Sequence, residues 1–285
     1  MEKISGLLHK MRARAEVPVV YSLPVGTDEV PLNAYLNQTL QLVWSGAIFC
    51  IACGRQTTRS FNHGYCYPCF KGLACCDLCV VKPELCHYAQ GTCREPAWGL
   101  AHCLQSHYVY LANTAGVKVG ITRASQLPVR WLDQGAVQAL PVFRVPSRYQ
   151  AGLLEVALKK YVTDRTDWRR MLRGEPESHN LRARRNELLR QCGDDLITSV
   201  LPSHEKTTVL LEEAETQTFT YPILRYPTRV AALDLNKTPH VEGILLGIKG
   251  QYLLLDTGVL NIRKFAGYEV TITVPSTPAV KRICG

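Results

Sequence analysis

The sequence predicts an α+β protein: a mixed core preceded by a cysteine-rich segment and flanked by β-rich ends. Three observations predict it. Ten of the twelve cysteines lie between 50 and 103, where helical and strand periodicity is weak, as expected of chain fixed by metal rather than by an apolar core. From 107 to 192, short β-branched runs alternate with one-face helical spacing. After 206 the chain returns to apolar runs punctuated by Gly250, Gly258 and Gly267, the pattern of a meander or small barrel. With 285 residues and roughly 150 per domain, there is room for two domains or three small ones.

Residues 1–49 read as a β-rich N-terminal segment, with strands expected at 17–23 and 39–44. Residues 50–104 form the cysteine-rich, zinc-binding region. Residues 105–204 carry the mixed core. There, strands at 107–111 and 117–122 flank the turn signal Asn113-Thr114-Ala115-Gly116 and form a hairpin. A helix opens at Ser125–Pro128, with Pro128 at a permitted first-turn position, and runs to about Gly135. A third strand follows at about 139–145. The helix expected at 150–162 aligns Leu154, Ala157, Leu158 and Tyr161 on one face, and a further helix covers 181–192. Residues 205–285 form a β-rich C-terminal domain, with strands at 241–248, 252–256, 259–263 and 269–274. The residue pattern shows no internal repeat and no low-complexity linker.

Composition narrows the function classes. Apolar residues make up 46% and charged residues 20%, enough to bury a core and too apolar for a disordered tail. The net charge is +9, which favours an anionic partner. Residues 118–190 hold fifteen Lys or Arg against seven Asp or Glu, so eight of those nine charges sit there. Arginine dominates the region and suits bidentate phosphate contacts. Lys118, Arg123, Arg130, Arg165 and Arg169 are the expected nucleic-acid contacts, to DNA or RNA. No apolar run approaches the ~18 residues of a membrane span. The first residues carry no signal-type apolar stretch, so a cytoplasmic protein with reduced thiols and no membrane partner is expected. Oligomeric state is not encoded legibly.

Clustered cysteine in that setting points to metal. Cys50-x2-Cys53-x12-Cys66-x2-Cys69 offers two pairs of thiolates, which complete one tetrahedral shell of four. A closed four-thiolate site has no open position for substrate, so its role is structural. Immediately after it, Cys76-x2-Cys79 is another half-site. Cys86 and Cys93 would close it, with Cys103 or His87 as alternatives, giving one or two structural zincs in all. An iron–sulfur cluster also accepts four thiolates. The vicinal pair Cys75-Cys76 is a poor redox couple, because adjacent cysteines strain a disulfide.

The basic region carries a resemblance. Tyr108-Val109-Tyr110, a hairpin, and Lys118-Val119-Gly120-Ile121-Thr122 resemble the GIY-YIG nuclease core, in which two short strands carry the two tripeptides. Arg130 matches the family arginine and Glu155 the family metal-binding glutamate. Longer strings, 93–99, 118–123, 130–136 and 164–172, together with the cysteine block, resemble an uncharacterised bacterial family of unknown function that carries a GIY-YIG-like domain.

The resemblance implies phosphodiester cleavage with one divalent metal, Mg2+ or Mn2+. Tyr110 is then the tyrosine that helps activate water, with Tyr108 two residues away. Arg130 holds the scissile phosphate and Glu155 binds the metal. The chain departs from that pattern in four places, the first being a hairpin between Tyr110 and Lys118 that is shorter than usual in the family. Lys118 stands where the second-motif tyrosine is expected, Gln134 where a histidine often follows the arginine, and the late asparagine has two candidates, Asp167 and Asn180. The expectation is therefore a zinc-stabilised, nucleic-acid-acting protein, either a metal-dependent endonuclease or a non-catalytic RNA-binding module that retains the fold.

Overall fold

The structure is a computed structural model that describes residues 1–193, 196, 208–276 and 281–282. Cys284 and the expected boundary at 204/205 lie outside the described residues. In chain order the first elements are β1 (Glu2–Leu7), β2 (Arg12–Arg14), β3 (Val20–Val25), β4 (Asp28–Pro31), β5 (Thr39–Phe49) and β6 (Gln56–Thr57). Helices α1 (Tyr67–Gly72) and α2 (Pro96–His102) follow, then β7 (His107–Asn113), β8 (Val117–Arg123), α3 (Val129–Asp133), β9 (Gln138–Val145) and α4 (Arg148–Leu158). The remainder is α5 (Trp168–Met171), α6 (Leu181–Cys192), β10 (Val209–Leu210), β11 (Gln217–Thr218), β12 (His240–Lys249), β13 (Tyr252–Leu255), β14 (Gly258–Asn261), β15 (Tyr268–Val274) and β16 (Lys281–Arg282). The chain divides into two compact units. One holds residues 1–71, 172–174 and 219–285; the other holds 72–171 and 175–218.

The first unit joins both ends of the chain. Its larger sheet runs β1-β15-β5-β12-β13-β14, with β6 on β5; its smaller sheet runs β16-β4-β3-β2. Both sheets are open, so the expected small barrel is not formed. β12 pairs with β5 through Ile244 and with β13 from Leu245 onward, breaking register between Leu245 and Gly247. Such a break bends a strand from one partner to the next. The far edge of β14 is met by residues 231–233 through Leu233 N to Val259 O (2.9 Å) and Val259 N to Ala231 O (2.8 Å). A covered edge does not need to close on another strand.

This unit is built from a repeat that the residue pattern conceals. Strand, turn, strand, 3-10 turn and long strand occur twice, and Leu32 to Ile262 is a separation of 230. The same step takes Val25 to Leu255, Tyr35 to Phe265 and Leu42 to Ile272, all buried. The backbone bonds repeat reciprocally. Leu8 N donates to Tyr268 O (2.8 Å) and Gly267 N to Leu8 O (2.8 Å); Leu245 N donates to Gln38 O (2.9 Å) and Asn37 N to Leu245 O (2.8 Å). Asn37 (φ 63°) and Gly267 (φ 85°) hold the same left-handed corner in the two copies. A strand that precedes each copy pairs with the long strand of the other, β1 with β15 and β12 with β5.

The second unit is a five-stranded open sheet, β10-β9-β7-β8 with β11 also on β9. The expected hairpin forms with Tyr110 opposite Gly120 and Ala112 opposite Lys118. Val109, Leu111, Val119 and Ile121 join Leu154 and Leu158 of α4 and Leu188 of α6 in one core. The residues between them in sequence alternate to the opposite face. Helix α6 matches its expected range. Helix α4 begins at Arg148 rather than 150, because the Ser147 side chain caps Gln150 N. It ends at Leu158 rather than 162, since Tyr161 N closes on Leu158 O (3.0 Å) in a tighter turn. The helix expected from Ser125 to Gly135 is a 3-10 turn at Ala124–Gln126 followed by α3.

Candidate functional site

In the first unit, the sulfurs of Cys50, Cys53, Cys66 and Cys69 all lie within 4.8 Å of one another. Cys53 Sγ and Cys66 Sγ are 3.8 Å apart. Four sulfurs at about 2.3 Å from one zinc stand about 3.8 Å from each other in a tetrahedron, so the donor set fits such an ion. Local chemistry shapes the loops. Gly54 takes φ 69° and its N–H donates to Cys50 O (2.8 Å). A Cβ on Gly64 would stand 2.8 Å from Ile51 Cδ1, so the second loop passes close against the first only because glycine stands there. Burial alone would raise the Cys50 thiol, but backbone N–H groups of Cys66, Cys53 and Ala52 outweigh it and hold the pKa at about 6. The Cys69 thiol is pushed up, first by its sulfur hydrogen bond with Cys53 and then by burial. Four crowded sulfurs cannot all ionise without a cation between them.

In the second unit, four of the sequence-derived candidates meet. Tyr110 lies wholly buried against Gly120, where a Cβ would stand 2.7 Å from its hydroxyl. Its ring edge packs on Trp131 of α3 at 5.8 Å. Gln134 links it to Arg130. In one amide orientation the Tyr110 hydroxyl donates to Gln134 Oε1 at 3.0 Å. We take the reverse orientation, in which the amide oxygen accepts from Arg130 Nε and Nη2, both at 3.1 Å, and the amide nitrogen lies 3.0 Å from Tyr110 Oη. The first orientation would set the amide NH2 against guanidinium donors.

Burial raises the Tyr110 phenol, outweighing the Arg130 charge, so it stays protonated and acts as a donor or spacer rather than a base. Lys118 is almost fully buried, and its ammonium donates to Asp164 O (3.3 Å) and Thr166 Oγ1 (3.2 Å). Burial and then the nearby Arg130 lower its pKa to about 8. Burial also raises the Glu155 carboxyl above its ordinary value, against the pull of Lys159. Lys159 Nζ is 4.0 Å from Glu155 and 2.8 Å from Asp164. The charges of Arg130 and Glu155 both reach Tyr110, Lys118 and Arg148.

The other candidates disperse. Tyr108 is half-buried and pairs opposite Thr122, and Arg123 pairs opposite His107 at the hairpin's far end. Arg165 and Arg169 are exposed, and Arg169 stacks over the Trp168 ring at 4.3 Å. Asn180 caps α6 and Asp167 caps the turn at Arg170. Two contributors escaped the sequence reading of the site, Arg148 and Asp164. Ser147-x-x-Gln150 has the spacing that marks a helix start, and Ser147 Oγ does accept from Gln150 N (3.3 Å), so it would have placed Arg148 two turns before Glu155.

Between Ala74 and Cys103, also in the second unit, one small cavity is lined by Cys79, Cys86, Cys93 and Cys103, with Asp77 and His87 beside them. Cys76 is not part of this lining; its sulfur lies 3.9 Å from that of Cys75. Asp77, Cys79 and His87 bring ligand atoms within 4.8 Å of one another. The Cys79 thiol is pushed up to about 11, first by burial and then by Asp77, Cys86, Cys103 and Cys93.

Among the described residues, no helix is long and apolar enough to cross a membrane. A family model described as Protein of unknown function (DUF2797) matches residues 37–270. No curated protein and no solved structure matches.

Proposed function

The chain belongs to the family described as Protein of unknown function (DUF2797), and because that membership carries no activity, we propose one from the site itself: a metal-stabilised protein that engages phosphodiesters of nucleic acid at Arg130 and Glu155. One observation carries this reading: Tyr110, Lys118, Arg130 and Glu155, from four separate elements, converge on a largely buried charge cluster. Arg130 is only half-buried and presents a planar fork suited to a phosphate. Glu155, with Asp164 near, offers carboxylate oxygen of the kind Mg2+ or Mn2+ prefers. When bound, such a cation neutralises charge building on the phosphate.

The chain's own residues supply orientation. Gln134 fixes the Arg130 fork, and Lys118 ties the 164–166 segment beside it. The likeness of the hairpin to the GIY-YIG core supports cleavage. Two observations favour the second reading, binding without cleavage: Tyr110 is sealed and protonated, and the Lys118 ammonium is spent on its own chain. The test is one panel of DNA and RNA, single- and double-stranded, with Mg2+ or Mn2+, read for both binding and cleavage. Arg130→Ala should weaken binding at least tenfold and reduce its salt slope by about one. Glu155→Ala should abolish metal-dependent cleavage if the protein cuts. Binding and cleavage unchanged in both variants would sink the assignment.

A further inference from the structure

We infer that Cys79, Cys86, Cys93 and Cys103 form a second metal centre, for a borderline-soft dication of the zinc class, that braces helix α4. The first argument is that this segment has little apolar core of its own. From 73 to 104 the chain makes three 3-10 turns and the short helix α2. Its large apolar side chains Leu78, Val81, Leu85 and Leu100 are each at least half exposed. Chain with little apolar core needs a cross-link to hold one conformation.

The second argument is the lining itself. Four cysteines from separate turns line one cavity, and a Cβ on Gly99 would stand 3.3 Å from Cys93 Sγ and 2.8 Å from Tyr88 Cδ2. The neighbouring polar groups are already engaged with each other. His87 Nδ1 bonds Thr92 Oγ1 (2.8 Å), its Nε2 faces Asp77 (3.5 Å), and Asp77 pairs with Arg94 (2.6 Å). The thiols are therefore the ligands, with Asp77, His87 and Arg94 as the shell that orients them. These four sulfurs stand wider than the first set, not all within 4.8 Å of one another, so binding draws them inward.

The third argument is what the segment touches. Arg148 N donates to Cys103 O (2.7 Å) and Arg148 Nη2 to Val80 O (2.6 Å). Pro83 and Glu84 press against Gly152. Every one of these contacts falls on α4, the helix that carries Glu155. The centre thus sets where Glu155 and Arg148 stand, independently of whether that cluster binds nucleic acid.

The test is metal content of the purified full chain by mass spectrometry, alongside cysteine alkylation mapped residue by residue. Two zinc ions per chain are expected in wild type. Cys93→Ser and Cys103→Ser should each leave one, whereas Cys76→Ser should leave two. On the wild-type chain, which needs no variant to fold, Cys79, Cys86, Cys93 and Cys103 should be protected until a chelator is added. One ion per chain, iron with sulfide, loss of an ion in Cys76→Ser but not Cys103→Ser, or alkylation of these four at the same rate with and without chelator would each overturn the proposal. None of these readouts depends on nucleic acid, so the centre and the phosphodiester reading can fail separately.

Discussion

Replacing Gly152 by alanine sets two opposed effects against each other. In a free helix, Gly→Ala gains roughly 1 kcal/mol because alanine loses less backbone entropy. In α4 the added Cβ would stand 2.6 Å from Pro83 Cβ, 2.7 Å from Glu84 N and 2.9 Å from Pro83 C. Two of those atoms are backbone, so no rotamer change relieves the clash, and the 83–85 turn must shift. Overpacking of this kind costs about 1–3 kcal/mol. The shift would also strain the Arg148 bond to Val80 O just before that turn, worth about 1 kcal/mol. Strain wins, and Gly152→Ala should destabilise by about 1–2 kcal/mol, lowering the midpoint by roughly 2–6 °C. Thermal unfolding of the full chain reads it. Gly174, which has nothing within 4 Å of its Cβ position, serves as the control and should move by less than about 0.5 kcal/mol. A Gly152→Ala protein as stable as wild type would mean that the turn does not seat against α4.

Two further perturbations test the fold around the sites. His107 is fully buried, and burial takes its pKa down to about 4 against the pull of its bond to Gln105 O, with Arg148 and Arg123 lowering it further. A histidine depressed below its usual 6.5 is neutral in the fold and charges first when unfolded, so stability is whole above about 6.5 and is lost as pH falls toward 4. The stability difference between wild type and His107→Gln should therefore narrow by about 3 kcal/mol over that window; parallel pH profiles would refute it. At the repeated corner, Gly267 has φ 85° and its Cβ position collides with Phe49 O. Gly267→Ala should cost about 2 kcal/mol or more, while Asn37→Gly should stay within about 0.5 kcal/mol. Equal effects at the two positions would contradict the differing surroundings of the two copies.

The four-cysteine cluster was legible because ligand spacing is a local property: Cys50, Cys53, Cys66 and Cys69 are brought together by two short loops. The hairpin was legible for the same reason, through period-two residues either side of a turn. The repeat was not. Tyr35 and Phe265, or Leu32 and Ile262, share size and burial but not identity, and the strand pairing between the two copies spans most of the chain. The barrel expectation failed on the same ground, since β15 leaves its neighbours in sequence to pair with β1 and β5. Spacing singled out Cys76 beside Cys79, whereas the cavity is lined by Cys103. Only the folded path around α2 can reveal that exchange. Lys118 was readable as a departure, but its use as a tether for Asp164 and Thr166 depends on a segment that the sequence places 46 residues away.

The pairing of strands between the two copies also sets a timetable for synthesis. β1 (Glu2–Leu7) is made well before its partner, which runs from Glu269 to Val274. Residues 72–171 and 175–218 emerge between them. At roughly 5–20 residues per second, a nascent β1 waits on the order of 10–50 s with both edges bare. β5 waits almost as long for β12 and β15. Bare strand edges recruit other chains, so crowded ribosomes translating this message are where the first unit is most exposed to misassembly. A chain released early, before 269, would keep β12 on β5 but leave β1 and the other edge of β5 without β15, and should surface in cells as aggregate rather than as a shortened functional protein.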